Sequence, residues 1–183
     1  MLEKRKLLIV RGIPGAGKST YAWKRLSEMD ADRHGFVFEA DSFFYGPPDF
    51  KYKWDSELVE YAHAYCLGRV ADQLKNRGDA IVANTFTQWW EIERYITLAE
   101  KLGCDVEIVH SLGCFDNIHD VPKEAVDKME KRFESNEKIY NKIKEARPLH
   151  IFVELYEYGP SLDKLTNKMT YSCNFKKVES KCA

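Results

Sequence analysis

Gly12-Ile13-Pro14-Gly15-Ala16-Gly17-Lys18-Ser19-Thr20 is the run whose residue types and spacing most directly dictate a chemistry. It fits G-x-x-x-x-G-K-[ST] in full, with an apolar run before it and a helical pattern after it. Glycines let the backbone turn and approach oxygen atoms with no Cβ in the way. Consecutive N–H groups and the following helix N-terminus then present partial positive charge to phosphate. The residues expected to cradle a triphosphate are Gly12, Pro14, Gly15, Ala16, Gly17, Lys18, Ser19 and Thr20. Lys18 is expected to reach the β- and γ-phosphates, and Ser19 to offer its hydroxyl oxygen to Mg2+. A plain Gly-rich turn is the competing reading, and the strand–loop–helix context argues against it. ATP is expected over GTP because no Asn-Lys-x-Asp guanine-reading motif occurs; Asn167-Lys168-Met169-Thr170 lacks the aspartate.

Asp41 ends the next predicted strand, Phe36–Ala40. A carboxylate there would face the γ-phosphate, where it accepts a proton from an acceptor hydroxyl or holds a magnesium-bound water. The alternative is a turn cap, a common use of Asp at such boundaries. Phe43, Phe44, Tyr45, Phe50, Tyr52 and Trp54 follow in a loop. Such aromatics stack on a nucleobase or, more often, cover the core. His63 reads as a packing residue. Cys104, His110, Cys114 and His119 lack the close pairs of a zinc site.

These groups need a frame to converge. The 183 residues are enough for one domain with a real core. Predicted strands Lys6–Arg11, Phe36–Ala40, Ala80–Ala83, Asp105–His110 and His150–Tyr156 alternate with predicted helices Lys18–Met29, Asp55–Arg77, Gln88–Leu102 and Pro122–Ala146. In the long second helix, Leu58, Ala62, Cys66, Val70 and Leu74 recur every four residues. The alternation predicts an α/β fold, a mostly parallel sheet with helices on both faces. Residues 1–157 form the expected domain, and 158–183 a C-terminal extension. Ligands of such sheets bind beyond the carboxyl ends of the strands. Gly12–Ser19, Asp41 and Asn84–Thr87 all follow strands and should share that edge.

A net charge of −1 excludes a globally basic nucleic-acid binder but not a local groove. Five scattered cysteines with no Cys-x-x-Cys pair fit free thiols in a reducing compartment. No apolar run approaches the ~20 residues that cross a bilayer. The expected setting is the cytoplasm, with no membrane partner.

The ordered motifs resemble the small P-loop kinases related to the kinase domain of phage polynucleotide kinase. Within them the chain is most similar to the branch found beside ubiquitin-ligase-binding proteins. Gly12–Thr20, Asp41-Ser42-Phe43-Phe44, Tyr52-Lys53-Trp54-Asp55, Leu58, Ala62-His63, Cys66 and Asn84-Thr85-Phe86-Thr87 with Trp90-Glu91 carry the likeness. Asn117–Pro122 and Met129–Glu134 complete it, over roughly residues 5–135. The resemblance implies transfer of the ATP γ-phosphoryl group to a hydroxyl, typically a nucleic-acid 5′-OH; a nucleoside is the near relative of that acceptor. It puts Asp41 in the position of the general base and Arg132 in that of an arginine after the lid. It also implies three departures. The third strand ends in Ala83 where the family has Asp, and Ser111–Val121 holds no Lys or Arg where the lid arginine belongs. Phe44 stands where polynucleotide kinases have a phosphate-reading arginine. A missing clamp arginine removes ~10³-fold or more in rate unless another cation, such as Arg132, Lys123 or Arg94, takes its place. A nucleotide-binding protein with weak or no chemistry, or a small-metabolite kinase, are the alternatives.

Overall fold

The computed structural model describes residues 4–29, 31–76, 78–115, 121–146, 153–163 and 168–175. Its frame is a six-stranded sheet in the order β2-β3-β1-β4-β5-β6. The strands are β1 (Lys6–Arg11), β2 (Phe36–Phe38), β3 (Ala80–Ala83), β4 (Asp105–Ser111), β5 (Val153–Asp163) and β6 (Lys168–Phe175). The first five run parallel, and β6 pairs antiparallel with β5.

β1 is central because its apolar run has two faces to bury. Leu7 and Ile9 point to one core cluster and Leu8 and Val10 to a second, all at most 6% exposed. The second cluster is closed by α1 (Lys18–Ser27) through Tyr21 and Ala22. The first is closed by α2 (Val59–Lys75), α3 (Trp89–Leu102) and α5 (Asn136–Glu145). Each fully buried Ile or Leu contributes about 1.5–3 kcal/mol, so the two-sided burial specifies β1 and its neighbours together. Ala62, Cys66, Val70 and Leu74 form the inward stripe of α2 as their spacing predicts, while Leu58 stays half-exposed ahead of the helix. Asp55 starts this segment by accepting from the Glu57 N–H. α3 carries a capping box between Gln88 and Glu91 and stops at Gly103, whose φ of 67° is left-handed.

Three expectations are corrected. The helix expected over Pro122–Ala146 is two helices, α4 (Lys123–Arg132) and α5, with Pro122 in the cap position and Asp120 outside the described residues. The break falls at Phe133, which turns to extended backbone so that its ring is stacked on His110 and lies 4.2 Å below the Arg11 guanidinium. Ser135 then caps α5 by accepting from the Lys138 N–H. The second strand ends at Phe38, because the buried Asn84 amide oxygen takes the Ala40 N–H at 2.8 Å and draws the chain into a 3-10 turn, Ala40–Phe44. The last parallel strand runs on to Asp163, so residues 158–163 and 168–175 of the expected extension are strands of the same sheet. No helix among the described residues is long and apolar enough to cross a membrane.

Candidate functional site

The phosphate-type loop joins β1 to α1 at the carboxyl edge of the sheet. It is tied down on two sides. The Gly12 N–H donates to the Thr85 carbonyl at 3.1 Å, anchoring the loop to the segment after β3. From the other side, Gly113 N–H and Ser111 Oγ both donate to the Ala16 carbonyl, at 3.1 and 2.5 Å. The Phe115 N–H donates to Gly15 O at 2.9 Å. Gly17, at φ 79°, is the cap of α1, and a Cβ there would lie 2.6 Å from the Phe115 ring. The glycine is thus required twice, for the left-handed turn and for the close approach. Phe115 itself carried no signal in the sequence.

Lys18 folds back over the loop, its Nζ donating to the Ile13 carbonyl at 2.9 Å. Burial pulls its ammonium down to about 8, opposed by the charges of Asp41 and Glu39. Both carboxylates therefore lie close enough to act on its charge. Ser19 Oγ donates to Glu39 Oε1 at 2.5 Å. Glu39 had no place among the sequence-derived site residues, although it lies two residues before Asp41 at the end of the same strand path. Tyr52 Oη donates to Asp41 Oδ1 at 3.4 Å, and burial and Asp41 push that phenol up to about 12. Asn84, through the Ala40 N–H, fixes the turn that carries Asp41. His63, half-buried on α2, has its imidazole held below its usual value by burial, against the charges of Glu91 and Asp41. It stands within the electrostatic reach of Asp41 as well as packing on α2.

Beneath the edge lies a buried polar cluster that sequence reasoning missed. Arg11, the residue before the loop, is fully buried. It donates to Phe86 O at 3.2 Å, Asn136 Oδ1 at 3.2 Å and Glu134 O at 2.7 Å. Glu134 in turn docks on the loop before α3, its N–H to Thr87 O and its carboxylate on the Trp89 N–H. The α4–α5 joint is thereby fastened to the phosphate loop and to β3.

The loop residues Gly12–Thr20, Asp41 and Asn84 are therefore brought to one edge. Arg132 is not tied to them: it is exposed at the end of α4, and its side chain makes no hydrogen bond or ion pair among the described residues. Arg94 lies over the Trp90 ring at 5.0 Å. Ala83 is buried and offers no carboxylate. Phe44 is core, 6% exposed and edge-on to Phe43 and Tyr52. Tyr45, Phe50 and Trp54 are the exposed members of the aromatic run. Cys104 is buried beside Leu102 whereas His110 stacks on Phe133, which separates the two, and His119 lies outside the described residues. The donor set of Ser19, Asp41 and Glu39 is all hard oxygen, which fits a magnesium ion held mainly by phosphate and one or two carboxylates.

Residues 7–112 match the family model of an AAA domain, AAA_33. Uncharacterized protein PM0531 of Pasteurella multocida (strain Pm70) is 26% identical over 131 residues, covering 67% of this chain and 73% of that protein. NEDD4-binding protein 2 of Homo sapiens is 30% identical over 96 residues, covering 52% of this chain and 5% of that protein. Among solved structures, Chaetomium thermophilum Kti12 in complex with ADP-AlF3 has the same fold with a TM-score of 0.54 at 13% identity, over 70% of this chain and 80% of its own.

Proposed function

The chain belongs to the AAA-domain family that its residues 7–112 match, with the P-loop kinase-like character that its motifs resemble, and we propose that it transfers the γ-phosphoryl group of ATP to a hydroxyl on a nucleic acid or nucleoside. The observation that carries this reading is the convergence at one sheet edge of the Lys18 loop, tied by the Gly12 N–H to the Thr85 carbonyl, and the Asp41 turn, tied by the Ala40 N–H to Asn84 Oδ1. An ammonium for the β- and γ-oxygens and a carboxylate for the acceptor proton are the two side-chain parts such a transfer needs. The fold shared with Kti12, solved with ADP-AlF3, supports a nucleotide at this edge.

In the proposed reaction the loop amides and Lys18 hold the triphosphate. Lys18 leaves its internal contact with Ile13 O for the phosphate oxygens. Asp41, oriented by Tyr52, takes the proton of the acceptor hydroxyl. The acceptor oxygen forms its bond to the γ-phosphorus as the bond to the bridging oxygen breaks, and ADP departs with that electron pair. Magnesium supplies charge neutralisation on the β- and γ-oxygens when bound, and Ser19 and Asp41 are the residues that would hold it. Arg132, exposed at the end of α4, is the proposed third catalytic group.

The test is transfer of labelled γ-phosphate to RNA and DNA 5′-hydroxyl ends, nucleosides and small hydroxylated metabolites. Asp41→Asn should abolish transfer and leave ATP affinity within a few-fold, while Lys18→Ala should lose both. Transfer to none of these acceptors, with ATP binding intact, sinks the reading. It would favour a nucleotide-responsive binding protein, the alternative motivated by Ala83 and by the absence of Lys and Arg from Ser111–Val121. Transfer to metabolites alone would identify a small-molecule kinase.

A further inference from the structure

We infer that Glu39 supplies, from the end of β2, the metal-directing carboxylate that the end of β3 lacks. The inference rests on the phosphoryl-transfer reading above and names a further residue of that site.

P-loop proteins hold their magnesium between the loop hydroxyl and an acidic side chain near a strand end. In this chain the residues after β3 are Ala83-Asn84-Thr85-Phe86-Thr87, with no carboxylate. Ala83 packs in the cluster closed by α1, so its side chain is on the α1 face of the sheet. β2 pairs with β3 in the register Phe36↔Ala80, Val37↔Ile81, Phe38↔Val82. Glu39 keeps extended backbone, φ −135° and ψ 139°, so the next pair in that register is Glu39 beside Ala83. Strand neighbours in register share a face, and adjacent strands are about 4.8 Å apart. Glu39 therefore leaves the sheet on the α1 side from the strand next to Ala83. Its extra methylene relative to Asp extends its reach toward the loop. The reach is realised, since Glu39 Oε1 accepts from Ser19 Oγ at 2.5 Å.

A merely structural bond would be an odd use of this carboxylate. The loop gathers N–H groups and Lys18 for an anion, and Glu39, bonded to Ser19 of that loop, and Asp41 both act on that lysine's charge. Two carboxylates beside a triphosphate repel it unless a cation stands between them. This gives the role a signature that a packing role lacks. Removing the Glu39 charge should weaken ATP binding when Mg2+ is present and strengthen it when Mg2+ is absent.

The experiment measures ATP affinity of the full chain by calorimetry, once with Mg2+ and once with EDTA, for the unaltered protein, Glu39→Gln, and Glu39→Ala combined with Ala83→Asp. The expected result is a Mg2+ enhancement of affinity that falls about tenfold or more in Glu39→Gln. Its EDTA affinity should be equal or higher, and Ala83→Asp should recover part of the enhancement from the neighbouring strand. Circular dichroism verifies that each variant is folded. Weakening by the same factor in both conditions, or unchanged Mg2+ enhancement in Glu39→Gln, overturns the inference and leaves the kinase reading standing. No ATP uptake by the unaltered chain in either condition overturns the kinase reading, and the inference falls with it.

Discussion

Arg11 offers the sharpest test of how this fold holds its site. Replacing it with Met keeps most of the apolar stem and removes the guanidinium. Three acceptors then lose their donor: Phe86 O, Asn136 Oδ1 and Glu134 O, at 3.2, 3.2 and 2.7 Å. The face of Phe133, 4.2 Å from the guanidinium carbon, loses its cation. Charge-assisted hydrogen bonds of this kind contribute about 1.5–3 kcal/mol each. Against them stands the cost of burying the charge, which is large enough to pull the guanidinium down to about 10 from 12.5. At 1.36 kcal/mol per pKa unit that cost is about 3 kcal/mol, and it is recovered when the charge is removed. With each bond near the middle of that range, the balance is a net loss of about 3–4 kcal/mol, in the range for breaking a buried polar network. For a domain of this size that corresponds to a fall in Tm of roughly 6–16 °C. Arg11→Lys keeps the charge but cannot span three acceptors, so it should fall in between. Urea denaturation followed by circular dichroism at pH 7.5 measures both variants. A loss below about 1 kcal/mol for Arg11→Met would mean that the α4–α5 joint and the Phe86 turn hold themselves, and the reasoning would be wrong.

Further predictions concern the same edge. The His110 imidazole, facing Arg11 on β1, Glu157 in register on β5 and the Phe133 ring, is pulled down to about 4 by burial and by Arg11. Its folded value lies below the unfolded ~6.5, so its contribution is complete above pH 6.5 and is lost as pH falls toward 4, by up to about 3 kcal/mol. His110→Phe should flatten that part of the stability–pH curve in urea midpoints taken at pH 7.5, 5.5 and 4.5, and an unchanged slope would refute it. Gly17→Ala forces a side chain into a φ of 79° and to 2.6 Å from the Phe115 ring. ATP affinity measured by calorimetry should fall at least about tenfold, because strain of about 1–2 kcal/mol adds to the displaced ring. Adding Phe115→Ala should restore only part of the loss, since the left-handed φ remains. Asn84→Ala leaves the buried Ala40 N–H without its acceptor, at a cost of about 1–3 kcal/mol. Because that turn aims Asp41, the transfer rate should drop more than ATP affinity; equal losses would refute a positioning role.

The parts of this molecule legible in its sequence are those fixed by local spacing. The phosphate loop announces itself because its glycines, Lys18 and Ser19 act within a single turn of chain. The stripe Ala62, Cys66, Val70, Leu74 and the Gly103 stop are equally local. What was illegible depends on residues distant in sequence. Arg11 reads as the polar end of an apolar strand; its burial requires Glu134 and Asn136, more than 120 positions later. The α4–α5 break has no Gly or Pro to mark it, because its cause is the Phe133 ring wedged between His110 and Arg11. Glu39 is unremarkable beside Asp41 until the β2–β3 register sets it next to Ala83.

The same distinction separates the two halves of the site. In the proposed reading nucleotide recognition would rest on backbone amides, whose directions are set by φ and ψ and hardly depend on side-chain identity. That half of the pattern is complete in this sequence. Acceptor recognition in that reading would rest on side chains, and there the chain departs from the pattern its motifs otherwise resemble. Phe44 illustrates it, for its ring points into the core between Phe43 and Tyr52. A guanidinium in that place would lie among apolar rings with no anion beside it, a burial that costs several kcal/mol. The turn at Ala40–Phe44 thus aims residue 41 at the loop and residue 44 away from it. In the proposed reading an acceptor that came to Asp41 would find no arginine at residue 44 to read its phosphate. It would meet Tyr52, with the exposed Tyr45 ring 5.3 Å from the Tyr52 ring, surfaces that recognise flat or apolar faces better than charge.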